Sequence, residues 1–141
     1  MSLSAFLKQN VKQIENEKVT VSERFIDENG DVIPFEVRVL TNDEDEQIRK
    51  QCTYKKQIPG KKYQYMNETD YEKYVGMQAV ACTVYPDLKD SSLQDSYGVM
   101  GELNLLKAML TPGEYANYLG AVQKINGFDK DMEDIVDEAK N

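Results

Sequence analysis

Apolar residues near the start of the chain recur at the spacing of one helix face. The set is Leu3, Phe6, Leu7, Val11 and Ile14. Residues three and four positions apart share a face of a helix, so the pattern predicts a short amphipathic helix. Because so short a helix is marginal on its own, we expect it to dock either on its own domain or on a neighbouring subunit.

The next two apolar runs alternate with polar residues, which is the period of a β-strand. The first run is Val19, Val21 and Phe25, and the second is Phe35, Val37 and Val39. Between them stands Asn29-Gly30, the strongest short-range signal for a hairpin turn. The sequence therefore predicts a β-hairpin over residues 18–40.

A first helix is expected directly after the hairpin. Thr41 and Glu44 have the spacing of a capping box, which marks a helix start. The helix is expected to continue until residues 57–60, Gln-Ile-Pro-Gly, break it. Residues 61–66, Lys-Lys-Tyr-Gln-Tyr-Met, could pair and stack with single-stranded nucleic acid. Six residues are a short footprint, so we interpret them as a mobile loop or a short ribbon.

A second helix is expected to begin at Asn67 or Thr69. Its apolar positions continue to Val84, and the helix should end before Pro86, because proline disfavours helical backbone in the residue before it. Residues 77–84 are nearly all small or apolar. We therefore expect this helix to lie at the centre of the protein.

Three further helices complete the predicted fold. A short one opens at Ser91, an apolar one covers residues 103–110, and a last one restarts at residues 111–114, Thr-Pro-Gly-Glu, where Thr caps and Pro takes the first helical position. The expected class is α+β, with an N-terminal β-hairpin packed on a mostly helical domain of four to five helices. Residues 1–128 are expected to form a single domain, and residues 129–141 an acidic tail that is mobile unless a partner docks it.

The net charge of the chain disfavours two classes of partner. The chain has 17 Lys and Arg residues and 25 Asp and Glu residues, giving a net charge of -8. Because phosphate groups attract cations, this balance argues against nucleic acid and anionic membranes as partners. No segment approaches the roughly 18 apolar residues of a membrane span.

Few residues are suited to metal binding or catalysis. The chain has no histidine, and its two cysteines, Cys52 and Cys82, are far apart, whereas zinc sites use closely spaced ligand pairs. An EF-hand loop beginning at Asp27 would need Gly and Glu where the chain has Val32 and Arg38. We therefore expect reduced thiols in the core, no metal, no cofactor and no enzymatic activity.

Three functions stay open on the residues alone. The first is a factor that holds an aggregation-prone client, and the second is an acidic decoy that mimics DNA and inhibits a nucleic-acid enzyme. The third, a small enzyme, has the least support, because no nucleophile–base pair can be named. The decoy requires carboxylates at phosphate-like intervals, whereas the charge here is mixed with lysine. Six methionines and nine tyrosines are compatible with an adaptable binding surface.

Four blocks in the second half of the chain carry a resemblance to a known family. They are residues 80–88 (Val-Ala-Cys-Thr-Val-Tyr-Pro-Asp-Leu), 93–98 (Leu-Gln-Asp-Ser-Tyr-Gly), 107–115 (Lys-Ala-Met-Leu-Thr-Pro-Gly-Glu-Tyr) and 126–128 (Asn-Gly-Phe). In order and spacing these blocks resemble the XkdN-like tail assembly chaperones of long-tailed phages and defective prophages. The N-terminal apolar segment, the hairpin and the acidic-start helix extend the resemblance over most of the chain.

The resemblance implies a binding role in tail assembly. Such proteins keep the tape measure protein soluble while tail tube subunits polymerise around it, and they leave before the tail is finished. The implied partners are the tape measure protein, with the tail tube protein and self-association as further candidates. The implied location is the cytoplasm of the bacterial host, and the mature virion is not expected to contain the protein. Many relatives have a short and a frameshifted long form, and the short form, or a system without the long one, is expected here.

The family offers no catalytic residues to carry over. We take the apolar helix faces at the two ends of the chain as candidate contact surfaces. The partner-binding candidates are Leu3, Phe6, Leu7, Val11, Met132, Ile135 and Val136.

Overall fold

The computed structural model of the chain describes residues 2–128. Its strands are β1 (Glu17–Val19), β2 (Phe35–Val37), β3 (Thr53–Gln57), β4 (Tyr65–Thr69) and β5 (Thr83–Tyr85). Its α-helices are α1 (Asn42–Gln51), α2 (Tyr71–Cys82), α3 (Ser91–Ser96), α4 (Glu102–Met109) and α5 (Pro112–Ile125). The predicted α+β class is confirmed, with N-terminal strands and five α-helices within these residues.

The predicted N-terminal hairpin is present, with short strands. β1 and β2 pair antiparallel, and a turn at residues 27–31 connects the two sides. The Asp27 carboxylate accepts hydrogen bonds from the backbone N–H groups of Asn29 (2.8 Å) and Asp31 (3.0 Å). Gly30 adopts a φ of +83°, a left-handed conformation that glycine tolerates without steric cost. The acidic residues of this turn therefore bond to their own backbone.

The second predicted helix ends earlier than its apolar pattern suggested. The helix was expected to reach Val84, but α2 ends at Cys82, and the next three residues form β5. β5 pairs antiparallel with β2, so the sheet order is β1-β2-β5. Thr83 and Val84 are β-branched and favour strands. The partner strand that satisfies their backbone comes from a distant part of the chain, which periodicity does not reveal.

The first predicted helix is also too long. It was expected to continue until residues 57–60 break it, but α1 ends at Gln51, and β3 and β4 then form a separate two-stranded antiparallel ribbon of five residue pairs. At its base the hydroxyl groups of Thr53 and Thr69 lie 2.9 Å apart. The ribbon alternative for residues 61–66 is correct for Tyr65 and Met66, which lie in β4.

The main core lies between the three-stranded sheet and helices α2, α4 and α5. Its most fully buried large side chains are Val37, Cys82, Leu105, Leu106, Tyr118 and Val122. Tyr118 packs edge-on against Phe35 with ring centroids 5.3 Å apart. Its hydroxyl lies 2.6 Å from that of Thr83, which joins α5 to β5. Cys52 and Cys82 are buried free thiols, and burial raises the pKa of both.

The N-terminal segment does not form the predicted amphipathic helix. Only Ser4–Phe6 forms a 3₁₀ turn, and residues 2–18 are all exposed. A helix this short requires a docking surface, and none of the described residues covers it. The structure therefore does not show the N-terminal segment docked on its own domain. Across residues 2–128, no helix has both the length and the apolar character needed to cross a membrane.

Candidate binding surface

The first candidate surface is the N-terminal segment, residues 3–14. Its apolar side chains point into solvent: Phe6 is 78% exposed, Leu3 77% and Ile14 74%. Leu7 and Val11 are about half exposed. Exposed apolar side chains concentrated in one segment are typical of a contact site for another molecule. Four of the sequence candidates, Leu3, Phe6, Leu7 and Val11, therefore lie together on one exposed segment.

Local hydrogen bonds hold the middle of this segment in a turn. The backbone N–H groups of Asn10 and Val11 donate to the Leu7 carbonyl at 2.9 and 3.0 Å. The Asn10 side-chain amide donates to the Ser4 carbonyl at 2.8 Å. These bonds are local and lie in solvent, so they restrain the backbone without burying its apolar side chains.

The second candidate surface is a groove between α2 and α5. Two apolar pairs one helical turn apart line it: Tyr71 and Val75 on α2, and Tyr115 and Leu119 on α5. It encloses about 560 Å³ and is open to solvent. Glu72 and Lys107 also line it, so the groove offers apolar walls with one charge of each sign.

The position of Tyr115 on one wall of the groove depends on a glycine in α2. A Cβ atom at Gly76 would lie 2.8 Å from the Tyr115 hydroxyl and 2.9 Å from Leu103 Cδ1, closer than such contacts normally allow. The absence of a side chain at Gly76 thus lets Tyr115 lie against α2. Burial raises the pKa of Tyr115 further above its ordinary value of 10, and this hydroxyl is neutral near pH 7 even without the shift.

The two helices of the groove run in the same direction. Tyr115, in the first turns of α5, lies beside Gly76, which is midway along α2, and Gln123 donates to Gln78 at 2.7 Å further along both helices. Near the C-terminal ends, the Asn126 side chain approaches the Cys82 sulfur at 3.4 Å. The polar contacts fix the alignment of α5 on α2, and the groove occupies the N-terminal half of the pair.

Several carboxylates have structural partners. Glu44 accepts a hydrogen bond from Arg38 and closes the capping box of α1, and the Arg38 bond is the main cause that lowers the pKa of Glu44 to about 2. Asp45 accepts from the Tyr74 hydroxyl at 2.6 Å and from Gln78 at 2.7 Å. These carboxylates stabilise a helix start and the α1–α2 contact. Within residues 2–128, no three Cys, Asp or Glu side chains are placed together to hold a metal ion.

Comparison with known proteins gives the family. Residues 3–140 match the sequence model of the phage XkdN-like tail assembly chaperone proteins. The chain belongs to this family. The resemblance noted from the sequence is therefore confirmed over nearly the whole length of this XkdN-like chaperone.

Two relatives from Bacillus subtilis (strain 168) are similar over most of their lengths. The phage-like element PBSX protein XkdN is 34% identical over 140 residues, which are 99% of this chain and 93% of the relative. The uncharacterized protein YqbN is also 34% identical, with the same coverage. A crystal structure of the protein YqbN has a TM-score of 0.76 at 30% identity, covering 91% of this chain and 98% of the YqbN chain.

Three of the partner-binding residues predicted for this XkdN-like chaperone lie outside the described residues: Met132, Ile135 and Val136. The groove between α2 and α5 was not predicted from the sequence. The sequence does contain part of the pattern that forms this groove. Tyr71 and Val75 are four residues apart on one helix, and Tyr115 and Leu119 are four residues apart on another. The pattern could not show that the two helices lie side by side.

Proposed function

We propose that this chaperone binds the tape measure protein of its own phage element and keeps it soluble during tail tube assembly. The role is non-catalytic and is carried out in the cytoplasm of the host cell, and the protein is absent from the finished virion. Residues 1–128 act as one domain, and residues 129–141 as an acidic tail. The tail tube protein is a further candidate partner. The observation that carries the proposal is the exposed N-terminal segment in a member of a tail assembly chaperone family.

Burial of the exposed apolar side chains of the N-terminal segment would stabilise a complex with a client. Burying one Leu or Phe side chain contributes about 1.5–3 kcal/mol, so Phe6 and Leu7 in solvent favour a partner that covers them. Binding would also cover the apolar stripe of a client that forms a long amphipathic helix. With the stripe covered, client molecules would not associate with one another before tube subunits enclose them.

The α2–α5 groove supplies a second contact of suitable shape. Tyr71 and Val75 lie one turn apart, about 6 Å along the helix axis, as do Tyr115 and Leu119 on the other wall. An amphipathic client helix could place apolar side chains between these walls, as in known helix-in-groove complexes. The two surfaces together would bind the client through several modest contacts, which allows later release.

Charge supports the same role. The net charge of -8 gives copies bound along one client a mutual repulsion that opposes aggregation. The acidic decoy is not favoured, since the family membership indicates tail assembly and Glu44, Asp45 and Glu114 are engaged in structural hydrogen bonds.

Co-expression with the tape measure protein tests the proposal. The full chain should raise the soluble yield of the client and remain with it through affinity purification. The variant Phe6→Asp/Leu7→Asp should lose most of this gain, whereas Gln9→Asp/Gln13→Asp, which adds the same charge to exposed polar positions of the same segment, should retain it. No gain in client solubility with the full chain would contradict the proposed function. An equal loss of soluble client yield in both variants would show that the apolar side chains of the N-terminal segment are not what binds the client.

A further inference from the structure

The loop that joins β3 to β4 consists of two successive β-turns. In the first, the Lys61 N–H donates to the Ile58 carbonyl at 3.1 Å, and in the second, the Gln64 N–H donates to the Lys61 carbonyl at 3.5 Å. The third position of each turn has a positive φ, which is +77° at Gly60 and +69° at Tyr63. Turns of this geometry favour glycine or asparagine at that position, so the first turn follows the rule and the second does not.

Tyr63 is held in a strained conformation with its side chain in solvent. A positive φ is a conformational outlier for a bulky residue, and the Tyr63 side chain is 84% exposed. Packing of the ring therefore does not explain why tyrosine stands where glycine would fit. Strained residues of this kind concentrate at binding sites and switches. The tip of the ribbon thus presents an aromatic ring to another molecule.

The same ribbon concentrates positive charge in an acidic protein. Residues 53–67 have four lysines and no Asp or Glu. Of the 17 Lys and Arg residues in the chain, 13 lie elsewhere, together with all 25 Asp and Glu residues. Lys56 pairs with Glu68 at 3.2 Å. Among the described residues, the other three lysines form no ion pair: Lys55, Lys61 and Lys62.

The strand register combines basic and aromatic groups on one face. Successive side chains of a strand point to opposite faces, and residues directly opposite each other share a face. Lys55 and the half-exposed Tyr65 therefore share one face of the ribbon, whereas Lys56 and its partner Glu68 lie on the other. Lys55 and Tyr65, together with loop residues 61–63, form the surface here called the ribbon site.

Protection of strand edges accounts for only part of this pattern. Lysine on an exposed strand deters pairing with a strand of another molecule, which could explain Lys55. Lys61, Lys62 and Tyr63 lie in the connecting loop, beyond the paired residues of β3 and β4. No strand edge needs protection there, so the loop residues point to recognition.

We propose that the ribbon site binds a segment of the tape measure protein in which carboxylates lie among apolar side chains. This assignment rests on the proposed function and specifies the chemistry of one client contact. The lysines attract carboxylates, and exposed tyrosines supply rigid aromatic area of the kind that anchors interfaces. The acidic remainder of the chain repels such a segment, so the ribbon site is where it can approach.

A nucleic acid matches the ribbon site less well than an acidic protein segment. Single-stranded nucleic acid has a phosphate at every nucleotide, and a bound strand would continue past the three lysines onto a chain whose net charge is -8. Carboxylates in a protein are spaced among apolar side chains, as the lysines and tyrosines of the ribbon site are. Charge and apolar character are therefore both matched by a protein segment.

Short labelled peptides that together cover the tape measure protein of the same phage element test this contact with the full chain. Fluorescence anisotropy should detect binding of peptides that contain Asp or Glu beside Leu, Ile or Phe. Their affinity should fall about tenfold between about 50 mM and about 0.5 M NaCl, because at the higher concentration charges are screened within a few ångströms.

Two ribbon variants should weaken this binding, each beside a matched control. Lys61→Glu/Lys62→Glu should lower the affinity about tenfold and remove most of its salt dependence. Lys89→Glu/Lys124→Glu, which changes the net charge equally at exposed lysines outside the ribbon, should lower it far less. Tyr63→Asn should weaken binding without lowering the unfolding temperature, since asparagine tolerates a positive φ. Tyr63→Phe keeps the ring and should retain binding.

Several results would overturn the assignment while the proposed function stands. One is equal affinity of acidic peptides for the parent chain and both ribbon variants, with binding lost only in Phe6→Asp/Leu7→Asp. Others are an equal loss in Lys89→Glu/Lys124→Glu, or bound peptides that contain no Asp or Glu. Binding of a labelled single-stranded oligonucleotide at physiological salt that Lys61→Glu/Lys62→Glu removes would make the ribbon a nucleic-acid site instead. Failure of the full chain to bind any tape measure peptide would contradict the proposed function as well.

Discussion

Arg24 and Glu114 are joined by two side-chain hydrogen bonds although 90 residues separate them in the chain. Arg24 lies in the N-terminal hairpin, and Glu114 closes the capping box of α5 with Thr111. Arg24 also donates to the Met109 carbonyl at 3.0 Å, at the end of α4. One arginine therefore fastens the hairpin to the junction between α4 and α5.

This pair predicts a pH dependence of stability. The Arg24 hydrogen bond is the main cause that lowers the pKa of Glu114 from 4.5 to about 2 in the folded protein. Between these pH values the unfolded chain binds a proton at this site and the folded chain does not, so the free energy of unfolding falls as the pH falls. The contribution is fully present above about pH 4.5 and is lost as the pH approaches 2.

Urea unfolding of Glu114→Gln between pH 7 and pH 2.5 checks this expectation. The variant should be less stable than the parent at pH 7, and the difference should shrink as the pH falls below 4.5. Glu46→Gln removes one negative charge at an exposed α1 position and serves as the control for net charge. A stability difference between parent and Glu114→Gln that is the same at every pH would contradict the assignment.

Gly76 and Gly120 form a matched pair of helix glycines. Alanine at Gly76 should destabilise the protein by about 1 kcal/mol or more, because the new Cβ must displace Tyr115 and Leu103. Alanine at Gly120 meets nothing within 4 Å and should stabilise by about 0.5–1 kcal/mol, through the lower helix propensity of glycine. Thermal unfolding followed by circular dichroism measures both. Equal stabilities for the two variants would show that Tyr115 does not require the space above Gly76.

Local signals in the sequence located several elements correctly. The Asn29-Gly30 turn, the capping box of Thr41 with Glu44, and the Thr111 cap of the last helix appear in the structure as expected. Each of these features depends on residues within a few positions of one another, which is why the sequence reveals them.

Elements that depend on distant partners were predicted less well. α1 and α2 were both extended too far, since β3 is stabilised by β4 and β5 by β2. The α2–α5 groove was missed for the same reason. The N-terminal segment carries a helical pattern, yet among the described residues no surface receives it, and only a 3₁₀ turn forms. A pattern shows which face would be buried, and the partner decides whether the helix forms.

Truncation after Phe128 removes Met132, Ile135, Val136 and four net negative charges. The core residues Leu106, Tyr118 and Val122 lie within residues 2–128, so far-UV circular dichroism and the unfolding temperature should change little. The soluble yield of co-expressed tape measure protein should fall. A full-length variant, Asp131→Asn/Glu133→Gln/Asp134→Asn, separates lost charge from lost apolar contacts. An unchanged client yield after truncation would exclude the segment from client binding.

Site-specific photocrosslinking shows whether the N-terminal segment contacts the tape measure protein. A benzoylphenylalanine residue in place of Phe6, in cells that also produce the tape measure protein, should yield a crosslink that mass spectrometry assigns to that client. The same residue in place of Asn29, exposed at the hairpin turn, should yield none. If both proteins accumulate in the cells and the crosslinks from position 6 never include the tape measure protein, the N-terminal segment does not contact this client.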